Sequence, residues 1–277
     1  MWPLDREQRR ECLRIGKHAA QRWQAVAGGL KVVASQALAL DAFAQPEELV
    51  ASVRALYPTP PHRAVALVVE SACLPVILVD TGGTLWSAAQ VEGLVRHRLG
   101  LLYDDGADKV ATWPLRIDHR AGDRYAFGGG LPQRVHQALA EVSAFELPRA
   151  SLTPAFCWSW QRFRPDRAWA RRTGWFICLE QDRAIAARIE RGTLTGLDAG
   201  AARCEDADQV EGLVRTLALR MGVRGAPGPV AVASWEFAGA RQVRRHDLTI
   251  QWLSVATGSR SVRESPAPIP RRMSPST

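Results

Sequence analysis

Long apolar runs, paired cysteines and lysines are all in short supply here, and each shortage closes off a class of protein. No stretch of eighteen uncharged apolar residues occurs in the 277 residues, so the sequence encodes no membrane-spanning helix. The opening Met1-Trp2-Pro3-Leu4-Asp5-Arg6-Glu7 enters mixed charge directly and not the apolar core of a signal peptide, which predicts a cytoplasmic location. Cys12, Cys73, Cys157, Cys178 and Cys204 are odd in number and scattered, with no Cys-x-x-Cys pair. Neither a zinc site nor a disulfide framework fits that spacing, and buried thiols are expected. The six histidines form no i, i+4 pair around a carboxylate, and no Gly-x-Ser-x-Gly elbow is present. Of 36 basic residues only Lys17, Lys31 and Lys109 are lysines, so arginine carries the net charge of +8. That charge permits contact with nucleic acid or an anionic surface, but no recognition motif accompanies it, and no nucleic-acid partner is expected.

What is present is ample apolar material, 47% of the chain, patterned in two similar series. Residues 12–18 and 23–33 alternate apolar and polar positions and predict a meander of strands. Leu49, Val50, Val53, Leu56 and Tyr57 then make one face of a helix that stops before Pro58, and Ala64-Val65-Ala66-Leu67-Val68-Val69 reads as a buried strand. A helix over 87–102 and a hairpin across Arg120-Ala121-Gly122-Asp123 follow. Gly128-Gly129-Gly130 is expected to break the chain as a hinge or turn, ahead of a helix from Pro132 to about residue 145. The second series has strands at 174–180, 183–190 and 193–198, a helix over 206–221 ending at Gly222, and a strand at 229–233. Three strands, a helix and a strand therefore occur twice. From residue 258 onward Ser, Arg and Pro dominate, a composition that builds no core and predicts a disordered tail.

Two local motifs suggest enzymes. Val76-Ile77-Leu78-Val79-Asp80-Thr81-Gly82-Gly83-Thr84 resembles the first motif of haloacid-dehalogenase-like phosphatases, but the second aspartate of that motif is replaced by Gly82, removing the general acid. It also resembles the Asp-x-Gly-Gly-Thr phosphate loop of actin-like sugar kinases, which needs a hairpin, whereas Trp86-Ser87 and the residues beyond predict a helix. A strand-to-helix turn that needs glycines is the favoured reading. The stretch from Trp158 to Arg172 interleaves aromatics with arginines, a composition suited to stacking on bases or to protein interfaces. A seam or protein interface is preferred over nucleic acid, with Trp158, Trp160, Arg162, Arg164 and Trp169 as candidate partner-binding residues. No catalytic, cofactor-binding or metal-ligating residues are assigned.

Pro75, Trp86-Ser87, His97-Arg98-Leu99, Trp113, Leu131-Pro132, Leu152-Thr153-Pro154-Ala155 and Gly174-Trp175-Phe176-Ile177-Cys178-Leu179-Glu180 together give a layout that resembles the actin-like assembly proteins of bacterial type IV pili. It is also similar to the cytoplasmic domain of inner-membrane protein L of type II secretion, over residues 12–235. The resemblance implies an α/β, duplicated RNase H-like (actin-like ATPase) fold with two lobes of mixed sheets flanked by helices. On that basis residues 1–155 form the first lobe, 156–173 an Arg/Trp-rich connection, 174–257 the second lobe and 258–277 the tail. It further implies a non-enzymatic scaffold at the cytoplasmic face of the inner membrane, docking an inner-membrane assembly protein with a short cytoplasmic segment. Protein L carries a spanning helix after this domain; here membrane association is expected to pass through a partner. A nucleotide-binding relative carries Asp- and Gly-bearing hairpins near Ile15-Gly16-Lys17-His18 and Leu179-Glu180-Gln181-Asp182-Arg183, but the first has no aspartate and the second no glycine. A degenerate cleft without cofactor is expected. An actin-like ATP-binding protein and a basic nucleic-acid-binding protein acting through residues 158–172 stand as alternatives.

Overall fold

β1 (Glu11–Ile15), β2 (Ala19–Val26), β3 (Gly29–Ala37), α1 (Pro46–Leu56) and β4 (Ala66–Val69) open the chain in the expected order. The computed structural model describes residues 11–254 apart from 27–28, 39–42, 44, 60, 62–64, 104–108, 145–150, 164–172, 202–203, 205, 224–227, 236–240 and 246–247, so the tail expected from residue 258 lies outside the described residues. α1 begins with Pro46 in its first turn beside Glu47 and Glu48 and ends near Arg54, charges that complement the helix dipole. Its buried stripe, Leu49, Val50, Val53 and Leu56, packs against Leu13, Ile15 and Leu67 of the sheet.

After β4 the chain inserts a small unit: β5 (Val76–Asp80), α2 (Ala88–Tyr103), β6 (Leu115–Asp118) and β7 (Tyr125–Gly130). Its three-stranded sheet has the order β5-β7-β6, all antiparallel. The three glycines that were expected to break the chain extend β7 instead, because Val95 and Leu99 of α2, together with Trp113, lie so close to Gly128 and Gly130 that side chains do not fit there. A Cβ on Gly128 would sit 2.7 Å from Val95 Cγ1, and one on Gly130 2.7 Å from the Trp113 ring. α3 (Gln133–Ala144), β8 (Ser151–Pro154) and α4 (Ala155–Phe163) complete the first half.

The second half repeats the first with β9 (Gly174–Leu179), β10 (Arg183–Glu190), β11 (Thr193–Ala201), α5 (Ala207–Arg220) and β12 (Val230–Ser234), then adds β13 (Arg241–Arg245) and β14 (Leu248–Ser254). Asp206 caps α5 by accepting from the Gln209 N–H at 2.8 Å, and Gly222, at φ 65°, closes it. The two main sheets run β3-β2-β1-β4-β8 and β11-β10-β9-β12-β14-β13. In each, a three-stranded antiparallel meander is followed by two strands parallel to its first strand. The duplication seen in element order is thus a duplication of topology.

The connection expected at 156–173 starts as a buried helix. α4 is wedged between the two main sheets and carries Phe156, Trp158 and Trp160 into one core with Trp23, Phe176 and Trp235. The Trp158 and Trp235 rings are 4.9 Å apart, Trp23 meets Trp235 edge-on at 5.5 Å, and Trp160 meets Phe176 edge-on at 5.1 Å. Each ring buries roughly 150–250 Å², so this seam is a substantial part of what holds the halves together. The cysteines are free, four of them buried; burial pushes the thiols up, Cys12 and Cys73 each to about 12, so they are inert as nucleophiles. Among the described residues no helix is long and apolar enough to cross a membrane.

Candidate functional site

β1 and β4 lie parallel at the centre of the first sheet, with Ile15 beside Val69, and the residues just past β4 meet Glu180 of the second lobe. In sheets of this kind ligands bind beyond the carboxyl ends of parallel strands. There the chain has placed a charged residue straight after a fully buried apolar strand. Glu70, fixed by its N–H to the Ile15 carbonyl at 3.0 Å, turns its carboxylate toward the β1–β2 turn. It forms a buried ion pair with Arg14 and accepts from the backbone N–H of Lys17 at 3.2 Å. Its carboxylate fills the turn so closely that a Cβ on Gly16 would meet Glu70 Cδ at 2.5 Å. Arg14 is further held by Gln21 Oε1 at 3.1 Å and by the Trp235 ring, whose centroid lies 5.3 Å from the guanidinium carbon.

The matching turn of the second lobe contributes Glu180, whose own N–H closes the β9–β10 hairpin on the Arg183 carbonyl at 2.8 Å. Its carboxylate reaches the first lobe. Oε2 accepts from the Ser71 N–H at 2.9 Å, and Oε1 accepts from the Ser71 hydroxyl at 2.7 Å. Glu180 is pushed up to about 7, first by burial and second by the neighbouring Glu70 charge, against the opposing pull of the Ser71 bonds and Arg14. Two bonded polar sets therefore meet where the lobes join, one running from Gln21 through Arg14 to Glu70 and the other from Ser71, next in sequence, to Glu180. All four central side chains are buried. Ser71 donating to a carboxylate near neutrality has the makings of a nucleophile and base, yet at 2% exposure it has no opening through which a substrate could reach it.

Of the candidate partner-binding residues, Trp158 and Trp160 are 1% and 5% exposed and pack in the seam. Both rings therefore lie in the seam between the lobes. Arg162 is half-buried, its guanidinium carbon 5.4 Å from the Trp158 ring centroid. Arg164 and Trp169 lie outside the described residues. Asp80 sits at the exposed end of β5, accepting from the Gly82 N–H at 2.8 Å and paired with Arg124 at 3.1 Å, and these two partners, Arg124 first, lower its carboxyl. With Gly82 and Gly83 at φ 69° and 74°, the motif is the glycine turn between strand and helix that its residues predict. Arg14, Glu70 and Ser71 were not among the sequence candidates. Their one sequence signal is a charge directly terminating the apolar run 64–69.

Among known structures, one from Bacteroides thetaiotaomicron, a protein with actin-like ATPase fold and unknown function, superposes with a TM-score of 0.52 at 10% identity, covering 84% of this chain and 83% of that one. This chain has the actin-like ATPase fold. The cytoplasmic domain of EpsL, an inner membrane component of the type II secretion system of Vibrio cholerae, matches with a TM-score of 0.45 at 14% identity over 81% of each chain. A chain of the PilM-PilN type IV pilus biogenesis complex matches at 0.47 and 10% identity over 82% of each. The fold assignment rests on the first of these. No family model and no curated protein sequence matches the chain.

Proposed function

We propose that this protein is a non-enzymatic, cytoplasmic scaffold of a type IV pilus or type II secretion-like assembly that docks an inner-membrane partner. One observation carries the non-enzymatic half of that reading. The hairpin amide that would cradle a phosphate is already bonded to Glu70, and the gap between the lobes is bridged by Glu180 and Ser71. A carboxylate is chemically a stand-in for one face of a phosphate: an anion accepting from a backbone N–H and an arginine. The chain thus fills its own anion seat, and a triphosphate would have to displace two buried carboxylates and meet their charge. The partner half is supported by the sequence resemblance to pilus assembly proteins and protein L, together with the actin-like fold.

The rival reading, an ATP-binding protein, draws on the fold itself. Thermal unfolding with and without millimolar Mg-ATP separates the two. No change in Tm is expected; ligand at 100 times its Kd would add about 2.7 kcal/mol and raise Tm by several degrees, which would end the scaffold reading. The partner half is tested by affinity capture of the full chain from detergent-solubilised membranes of its native host. An inner-membrane protein with a short cytoplasmic segment is expected, and recovery of soluble metabolic proteins alone counts against it.

A further inference from the structure

The inserted unit of β5, α2, β6 and β7 has a core of its own, in which Val95 and Leu99 of α2 pack with Ile77 and Trp113, and it is rooted in the shared core by Val76 and Phe127. β5 lies alongside β11 but belongs to a different sheet. Beyond that, one short element of the second lobe, the turn between β9 and β10, ties the unit down at two points. At the first, Glu180 takes both the N–H and the hydroxyl of Ser71, on the lead-in to β5. At the second, Arg183 donates to the Tyr103 hydroxyl at 3.2 Å, its guanidinium carbon 6.0 Å from that ring, and Tyr103 is the last residue of α2. The two points are coupled, because the Glu180 N–H donates to the Arg183 carbonyl at 2.8 Å.

We propose that the β9–β10 turn is a lock on the inserted unit, and that the charge of the Glu70–Glu180 pair decides whether it is shut. Two buried carboxylates meet here and one guanidinium, Arg14, serves both. With Glu180 protonated, Glu70 and Arg14 balance. With Glu180 ionised, the site gains a buried negative charge that Arg14, already paired with Glu70, does not neutralise, and excess buried charge is relieved when one group moves into water. Glu180 is the one that moves, because it sits on a hairpin turn, whereas Glu70 is fixed through the Ile15 carbonyl, the Lys17 N–H and Arg14. The thiols that also face it, Cys73 beyond Ser71 and Cys178 on β9, are pushed up by burial and stay neutral. Withdrawal of Glu180 frees Ser71 and, through the hairpin bond, draws Arg183 away from Tyr103. The inserted unit then pivots about Val76 and Phe127 while the aromatic seam keeps the lobes joined. Burial and the Glu70 charge push Glu180 up to about 7, so about nine-tenths of it is protonated at pH 6 and about nine-tenths ionised at pH 8. This device does not depend on the identity of any partner, so its test stands apart from that of the scaffold reading.

The test measures the distance from the inserted unit to the second lobe in the full chain by pulsed electron–electron resonance. Spin labels go on Leu101→Cys in α2 and Leu219→Cys in α5, positions 65% and 79% exposed, in a Cys73→Ser background because the other four native thiols are buried. One narrow distribution is expected at pH 6 and a broader one, shifted to longer distance, at pH 8. Glu180→Gln should stay narrow at both values, and Arg183→Ala should be broad at both. Distributions that do not change between pH 6 and 8, or a Glu180→Gln variant that broadens as the parent does, overturn the proposal. An Arg183→Ala variant that stays narrow at pH 6 removes the second tie and overturns the lock as described. Broadening accompanied by loss of far-UV signal would trace it to unfolding and overturn it as well.

Discussion

Glu180 is where a single side chain ties pH to stability. Burial and the Glu70 charge raise it to about 7 in the folded chain, against an ordinary value of 4.5. Between those values the folded state holds a proton that the unfolded state has released, so the stability contributed by the protonated form is complete below the unfolded value and is lost as pH rises through about 7. The full shift corresponds to roughly 3 kcal/mol. Thermal unfolding followed from pH 5 to 8 should therefore show Tm falling as pH rises. Glu180→Gln, which keeps an acceptor for Ser71 without the charge, should flatten the curve in that window. An unchanged slope in the variant would assign the pH dependence elsewhere. None of this was readable from Glu180 alone: the hairpin position was visible in the sequence, but its burial beside Glu70, 110 residues earlier, is a product of tertiary structure.

Elements were legible where a strong period met a clear stop. α1 and α5 follow their apolar faces to Tyr57 and Gly222, and the second meander stands where alternation places it, while in the first the alternating segments 12–18 and 23–33 run across the two turns that separate its strands. β8 was missed because four residues ending in proline carry too little pattern, although it pairs in parallel with β4. β14 had a signal that was overlooked, since Leu248, Ile250 and Trp252 alternate and are all buried. The glycine run of β7 failed for a different reason. Glycine signals a break when only local conformation is considered, but here it answers a close approach by α2, which no local pattern encodes. That account makes a stability prediction. Gly128→Ala sets a methyl 2.7 Å from Val95 Cγ1 and should cost about 1–3 kcal/mol in urea unfolding. Val95→Ala alone leaves a void and also destabilises, yet the double variant should fall short of the sum, because each change makes room for the other. Strict additivity would mean that α2 does not pack on Gly128 as described.

At the scale of the whole molecule, what matters is that the two lobes, besides a core of their own, share a third core between them. α4 carries Phe156, Trp158 and Trp160 between the sheets, and Trp235 of the second lobe packs against Trp23 and Trp158 of the first. Ser71 and Glu180 add a buried polar tie, and neither bond can open without exposing a desolvated group. Repeated topology suggests two folding units, whereas the shared aromatic seam requires them to unfold together. A cleft so held is poorly suited to the opening and closing that nucleotide exchange demands, which is the physical reason to look to the outer surfaces for recognition. Trp158→Ala should cost about 3–5 kcal/mol, the range for removing a large buried aromatic. Because the cavity it leaves sits in the core shared between the lobes, calorimetry should show one transition moved to lower temperature, coincident by far-UV and tryptophan signals. Two separated transitions, with one lobe retaining the wild-type Tm, would show that the lobes are stable on their own and that the seam is an interface between domains instead of a common core.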